Sequence, residues 1–204
     1  MISNFYRVCG ETIQEVFHAS LFLLLHNGKQ VNISKDKEGK RSGGQTLELQ
    51  NLFIEIPEPD PLEEINLKSS KVTEKFHDGM LLCSTKDVQS RRIIQEKSRI
   101  IEKLSEKKDT RRAVITVWEN TDLFASYAPC ITSMQFLVRD NSLHQTAFFR
   151  SHDIWNAFPW NTKGNITFQA DIAEKLDLGV GSYIELATSA HIYEVDKNKV
   201  NKFI

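Results

Sequence analysis

The residues able to do chemistry fall mostly between positions 128 and 193. Cys130 follows Ala128-Pro129, and Pro129 fixes the backbone just before the thiol. A thiolate attacks an electrophilic carbon well once neighbouring positive charge lowers its pKa. A buried, inert cysteine is the plainer alternative. The positive charge could come from Arg150, which a hairpin between positions 134 and 149 would fold back toward Cys130. Arginines form the second group: Arg41 in Arg41-Ser42-Gly43-Gly44, the pair Arg111-Arg112, and Arg150 beside Ser151. Arginine forks match phosphate oxygens bidentately, a serine hydroxyl adds a donor, and glycines let backbone amides approach an anion. Surface salt bridging is the alternative for any one of them. Asn161 follows Pro159-Trp160, and its amide offers one acceptor and two donors, enough to read a pyrimidine edge. Its alternative is a turn or a helix cap. His191 and Tyr193, two apart on an extended segment, point the same way and could hold a sugar hydroxyl.

The elements that must position these groups read as interleaved helices and strands, and so as one mixed α/β layer fold. Apolar residues at helical spacing give a helix over Thr12–His26, stopped by Asn27-Gly28. After a polar loop, Leu47 and Leu49 alternate, then Leu52, Ile54 and Ile56 on the other parity. That phase change implies a bulge or a sharp twist near Gln50-Asn51, and Pro57 and Pro59 end the strand. Residues 60–86 are polar, with Phe76 and Met80–Leu82 as anchors. Val88–Lys108 is an amphipathic helix, Ala113–Trp118 a buried strand, and Met134–Val138 with Leu143–Phe149 a hairpin turning at Arg139–Ser142. Thr167–Leu176 reads as a helix, Tyr183–Ala187 as a last strand, and the tail from Glu194 as polar.

The bulk properties narrow the classes. The chain of 204 residues is 40% hydrophobic and 26% charged, an ordinary globular composition that fits a single domain. A net charge of −1 gives no bulk attraction to nucleic acid or acidic lipid, so an anion site must come from placed arginines. The apolar run Leu21–Leu25 is too short to span a bilayer, and no secretory leader is visible. Three cysteines without paired spacing speak against a disulfide framework or a zinc site and fit a reducing cytoplasm.

Taken together, these motifs resemble the thymidylate synthase family. Asp109-Thr110-Arg111-Arg112 resembles its Asp-Ser-Arg-Arg strand, and Pro129-Cys130 with Gln135-Phe136 its nucleophile segment. Arg150-Ser151-x-Asp153 and Pro159-Trp160-Asn161 resemble Arg-Ser-Cys-Asp and Pro-Phe-Asn, and Arg41-Ser42-Gly43 sits at the family's phosphate loop. Residues 107–195 match closely and 10–57 loosely, in the manner of the shorter archaeal members, with 58–87 divergent. The resemblance implies the thymidylate synthase fold and a homodimer of sheets packed back to back. It makes Cys130 the nucleophile at C6 of dUMP, with methylenetetrahydrofolate as one-carbon donor. Arg41, Arg150 and Ser151 would hold the 5′-phosphate, joined by Arg111 and Arg112 of the other subunit. Asn161 would read the base with Gln135 nearby, His191 and Tyr193 would bind the sugar hydroxyl, and Asp153 would contact the pterin.

Some family features are replaced. No Glu-Leu-x-Trp-Phe segment lies between Pro57 and Phe76, where Glu63 and Glu64 are the candidate proton relays. The histidine after the nucleophile is Ile131, the folate-stacking glycine is Ala157 beside Asn156, and Tyr-Gly is approximated by His77-Asp78-Gly79. The implied reaction is folate-dependent C5 methylation of dUMP. Alternatives are a pyrimidine-nucleotide hydroxymethylase or a nucleotide-binding relative without folate chemistry. Asn161 favours uracil over cytosine, because the cytosine-specific relatives carry aspartate there.

Overall fold

The computed structural model describes residues 5–34, 44–65 and 87–204. Arg41, Phe76, Met80–Leu82 and His77-Asp78-Gly79 therefore lie outside the described residues. Eight strands form one mixed sheet: β1 (Tyr6–Cys9), β2 (Lys29–Ile33), β3 (Gly44–Ile56), β4 (Val114–Thr116), β5 (Ile131–Arg139), β6 (Ser142–Phe149), β7 (His152–Asp153) and β8 (Gly179–Tyr193). The order is β1-β3-β8-β6-β5-β4, with β2 also pairing β3 and β7 pairing β8. β1 with β3, β6 with β8 and β7 with β8 are parallel, and the remaining pairs are antiparallel.

The helices are α1 (Ile13–Asn27), α2 (Val88–Glu106), α3 (Phe158–Lys175) and α4 (Lys197–Phe203). Thr12 caps α1 by accepting from the Glu15 amide, and Gly28 ends it by donating to Leu24 O. A Cβ at Gly28 would lie 2.4 Å from that oxygen, which is why the chain turns there on a glycine. Phe17, Leu21 and Leu24 of α1 are fully buried against the sheet and α3. Each contributes about 1.5–3 kcal/mol through apolar burial.

Of the two forms expected near Asn51, a bulge or a sharp twist, the register rules out the bulge. Asn51 has φ 58, a left-handed conformation that asparagine tolerates, and burial switches there from Leu47 and Leu49 to Leu52, Ile54 and Ile56. Yet the register with β8 is unbroken: Gln50 faces Ser189 and Leu52 faces Ala187. The partner strand changes phase too, from inward Tyr183, Glu185 and Ala187 to inward Ala190 and Ile192. Both strands bend together, so each keeps its apolar side inward. β5 carries a true register shift beside Thr132.

Four expectations need correction. α3 begins nine residues before Thr167, because Pro159 occupies its first turn, where a missing N–H costs nothing. Asn161 is thus helical rather than part of a turn. The last strand extends on both sides of 183–187, to Gly179–Tyr193, its ends obscured in the sequence by the phase change. The polar tail is a short helix docked through Phe203, whose ring lies 5.6 Å from Phe17 and 5.4 Å from Trp155. The hairpin stands as expected, with Asp140 and Asn141 both left-handed in the two-residue turn that suits twisted strands. β1 and β2, short edge strands, were not anticipated.

Candidate functional site

Cys130 sits half-buried immediately before β5, and two residues, Gln89 and Arg150, fix the backbone there. The Gln89 Oε1 atom of α2 accepts from both the Cys130 and Ile131 amides at 2.9 Å. The Arg150 amide donates to Cys130 O at 2.9 Å. The Arg150 guanidinium then reaches back along the loop, donating from Nε to Pro129 O at 2.8 Å and from Nη2 to Ala128 O at 3.0 Å. Its other face lies 5.3 Å from the Trp118 ring centroid. Burial pushes the Cys130 thiol up, Arg150 pulls it down by less, and Asp153 and Asp87 add to the rise. The resting thiol is therefore held in its protonated form, with the Arg150 charge opposing the rise.

The scaffold under this loop is α2. Asp87 caps the helix by accepting from the Ser90 amide at 2.9 Å, and it also accepts from the Tyr127 hydroxyl at 3.2 Å. Arg92 binds Asp122 at 2.6 Å and Val117 O at 2.8 Å, tying the strand end and the turn Asn120–Phe124 to the helix. Asp122 is held below the usual carboxylate range, first by Arg92 and then by the Glu119 amide.

Across the site, β7 runs beside β8 and sets Asp153 opposite His191. The Asp153 carboxylate accepts from the Asn156 amide at 3.0 Å and from Asn156 Nδ2 at 2.9 Å, and Asn156 also reaches Asp196. His191 and Tyr193 meet edge to face at 5.3 Å. Burial pushes His191 down against the pull of Asp153, so its imidazole is neutral near neutral pH. Burial raises the Tyr193 phenol, and Asp153 and Cys130 add to that rise, which places all three groups within one electrostatic neighbourhood. Ser151 is half-buried next to Arg150.

Asn161 is 8% exposed, and its Nδ2 lies 3.1 Å from His152 Nε2. His152 is wholly buried, stacked on Phe149 at 4.0 Å, with Nδ1 2.6 Å from Glu185 Oε1. The residue types Cys130, Arg150, Ser151, Asp153, Asn161, His191 and Tyr193 thus converge on the C-terminal ends of β6 and β8 and the start of β5 and α3.

Other expected residues stand apart. Arg111 and Arg112 are exposed at the β4 edge of the sheet, and Gln135 Nε2 donates to Arg111 O at 3.1 Å. Gln135 lies on the outward face of the sheet, between inward Met134 and Phe136. Glu63 caps α1, accepting from Ile13 N at 2.8 Å and Gln14 N at 3.2 Å, so its carboxylate is committed to the helix. Glu64 is exposed. Sequence reasoning missed Gln89, Trp118, His152 and Glu185. Only Glu185 left a signal, a carboxylate at an inward position between Tyr183 and Ala187.

A family model described as thymidylate synthase matches residues 65–204, more than two thirds of the chain. The chain belongs to the thymidylate synthase family. A putative thymidylate synthase of Methanocaldococcus jannaschii is 31% identical over 206 residues, covering 92% of this chain and 90% of the relative. One from Methanococcoides burtonii is 27% identical over 208 residues, covering 96% and 93%. The fold is similar to that of the thermostable thymidylate synthase A from Bacillus subtilis, with a TM-score of 0.69 at 16% identity, covering 94% of this chain and 83% of the other. In this thymidylate synthase family member no described helix is long and apolar enough to cross a membrane.

Proposed function

We propose that this protein methylates C5 of a pyrimidine 5′-monophosphate, dUMP to dTMP, with methylenetetrahydrofolate as donor. The observation that carries the reading is the pairing of Cys130 with Arg150, a thiol whose thiolate is favoured by one guanidinium that also braces its loop. In the proposed step the Cys130 thiol gives its proton to solvent water, its sulfur forms an S–C6 bond, and the C5=C6 electron pair moves to give an enolate with its charge on O4. Arg150 spends two of its five N–H donors on loop carbonyls, leaving three for the phosphate, with Ser151 and Arg41 completing the cradle. Asn161 reads the base, and His191 and Tyr193 hold the sugar hydroxyl.

Asp153 fits a pterin. Each of its oxygens accepts one hydrogen bond from Asn156, and lone pairs remain for ligand N–H groups. When bound, the folate supplies the methylene carbon and the hydride that reduces it. The described chain contributes no relay glutamate through Glu63, which supports keeping two alternatives in view: hydroxymethylation, in which water quenches the methylene, and nucleotide binding without folate chemistry.

The partner is a second copy of the chain, seated on the outward sheet face, where Phe53, Leu137, Phe148, Ile184 and Leu186 are only half-buried. In that arrangement Gln135 and the exposed Arg111 and Arg112 serve the neighbouring site, as an isologous interface allows. The near-neutral charge supports no nucleic-acid partner, and the cysteine pattern supports the cytoplasm.

The test is intact mass after incubation with 5-fluoro-dUMP, with and without methylenetetrahydrofolate. An adduct carrying both ligands, lost in Cys130→Ser, establishes the synthase-type site. Nucleotide binding without a folate-dependent adduct supports the alternatives instead.

A further inference from the structure

A buried polar chain runs behind Asn161. Asn165 Nδ2 donates to the Tyr183 hydroxyl at 3.1 Å, so the phenol proton is free to donate to Glu185 Oε2 at 3.3 Å. Burial, and then Glu185, push the Tyr183 pKa well up, so the phenol keeps that proton. The other carboxylate oxygen, Glu185 Oε1, accepts from His152 Nδ1–H at 2.6 Å. A neutral imidazole with its proton on Nδ1 has a bare Nε2, and that atom accepts from Asn161 Nδ2 at 3.1 Å. The ring cannot turn out of this arrangement, because it stacks on Phe149 at 4.0 Å and 8° and meets Phe158 at 5.6 Å. His152, Tyr183 and Glu185 are each wholly buried.

The consequence falls on the far side of the Asn161 amide. With Nδ2 turned inward, Oδ1 is the atom left to face outward. No hydrogen bond from the described residues reaches it. An outward carbonyl accepts from uracil N3–H but opposes cytosine N3, which is itself an acceptor. Flipping the amide would put Oδ1 against His152 Nε2 and so needs a proton there, on a ring that already gives Nδ1–H to Glu185.

We propose that Glu185 and His152 are positioning residues that lock the Asn161 amide with its oxygen toward the base, making the site selective for a pyrimidine bearing N3–H. This rests on the reading of Asn161 as the residue that meets the base. Glu185→Gln keeps the shape but lets the side-chain amide either accept from or donate to His152 Nδ1. Both imidazole tautomers then become accessible, and Asn161 is free to flip.

The experiment measures dUMP and dCMP affinity by calorimetry for the wild type, Glu185→Gln and Asn161→Ala. Sites built on hydrogen bonds reject mispaired analogues by large factors, so the dUMP-to-dCMP preference should fall about tenfold or more in Glu185→Gln, with dCMP binding gained. An unchanged preference, whatever the absolute affinities, overturns the proposal, because a purely structural role weakens both ligands alike. Unchanged dUMP affinity in Asn161→Ala overturns the base reading along with it; a loss there beside an unchanged Glu185→Gln preference overturns the proposal alone. Nitrogen NMR of the histidine-labelled wild type needs no variant to fold. His152, assigned by its absence in His152→Phe, should show a bare Nε2 and a protonated Nδ1, and a protonated Nε2 overturns the proposal directly.

Discussion

Replacing Arg150 with alanine separates a nucleotide site from a merely tidy loop. The guanidinium donates to two carbonyls, of Pro129 and Ala128, and lies against Trp118. Because the side chain is solvent-exposed, these two bonds stand at the low end of the range for charged donors, about 1–2 kcal/mol of stability together. The phosphate effect is separate. One charge-assisted bond to a bound phosphate is worth about 1.5–3 kcal/mol, so dUMP affinity should fall roughly 10- to 150-fold. The thiol supplies a third reading. Arg150 opposes the upward push of burial on Cys130, so its loss drives the thiol pKa further up and slows iodoacetamide alkylation near neutral pH. Calorimetry with dUMP, thermal unfolding and alkylation rates on one sample give all three. Arg99→Ala is the control, since that arginine is 76% exposed and, among the described residues, pairs with Glu96 on its own helix. Equal dUMP affinities in Arg150→Ala and the wild type, or an equal loss in Arg99→Ala, would refute the reasoning.

Three further perturbations follow from the geometry. Asn51→Val forces a β-branched residue into a left-handed backbone, so it should cost about 1–3 kcal/mol in urea unfolding, while Asn51→Gly should cost much less. Asp122→Asn should flatten the acid limb of the stability profile. Asp122 is held below its unfolded pKa, so the stability it provides is complete above that unfolded value and is lost as pH falls through the folded one; the variant should lack that decline. Leu186→Glu places a charge on the outward sheet face, so sedimentation should show the proposed dimer replaced by a monomer, with little change in helical signal.

Local spacing made much of this legible. α1, α2 and the β5–β6 hairpin each carry a period, a cap or a turn within their own residues, and Thr12, Gly28 and Asp140-Asn141 stand where those rules put them. The start of α3 was not legible, since Phe158-Pro159-Trp160-Asn161 is buried nearly all round and shows no polar stripe. Likewise β8 hid its length because its inward parity reverses at Thr188. Within the site, motif residues such as Cys130, Arg150 and Asn161 could be named from order and residue type. Their supports could not. Gln89 reaches Cys130 across 41 positions and Glu185 reaches His152 across 33, and no local pattern encodes such separations.

The joint bend of β3 and β8 has an evolutionary corollary. Inserting or deleting one residue on either side of Asn51 in β3 alone would turn every later side chain of that strand inside out, against a neighbour still in its old phase. Only matched changes in both strands, more than a hundred positions apart, restore the fit. Thr188 sits at the bend of β8 and accepts no substitute lightly, because its hydroxyl donates to Arg150 O at 2.9 Å and so holds the end of β6 beside the thiol. Length variation in this lineage should therefore accumulate in the loops and spare this pair of strands, leaving the geometry around Cys130 insulated from drift in chain length.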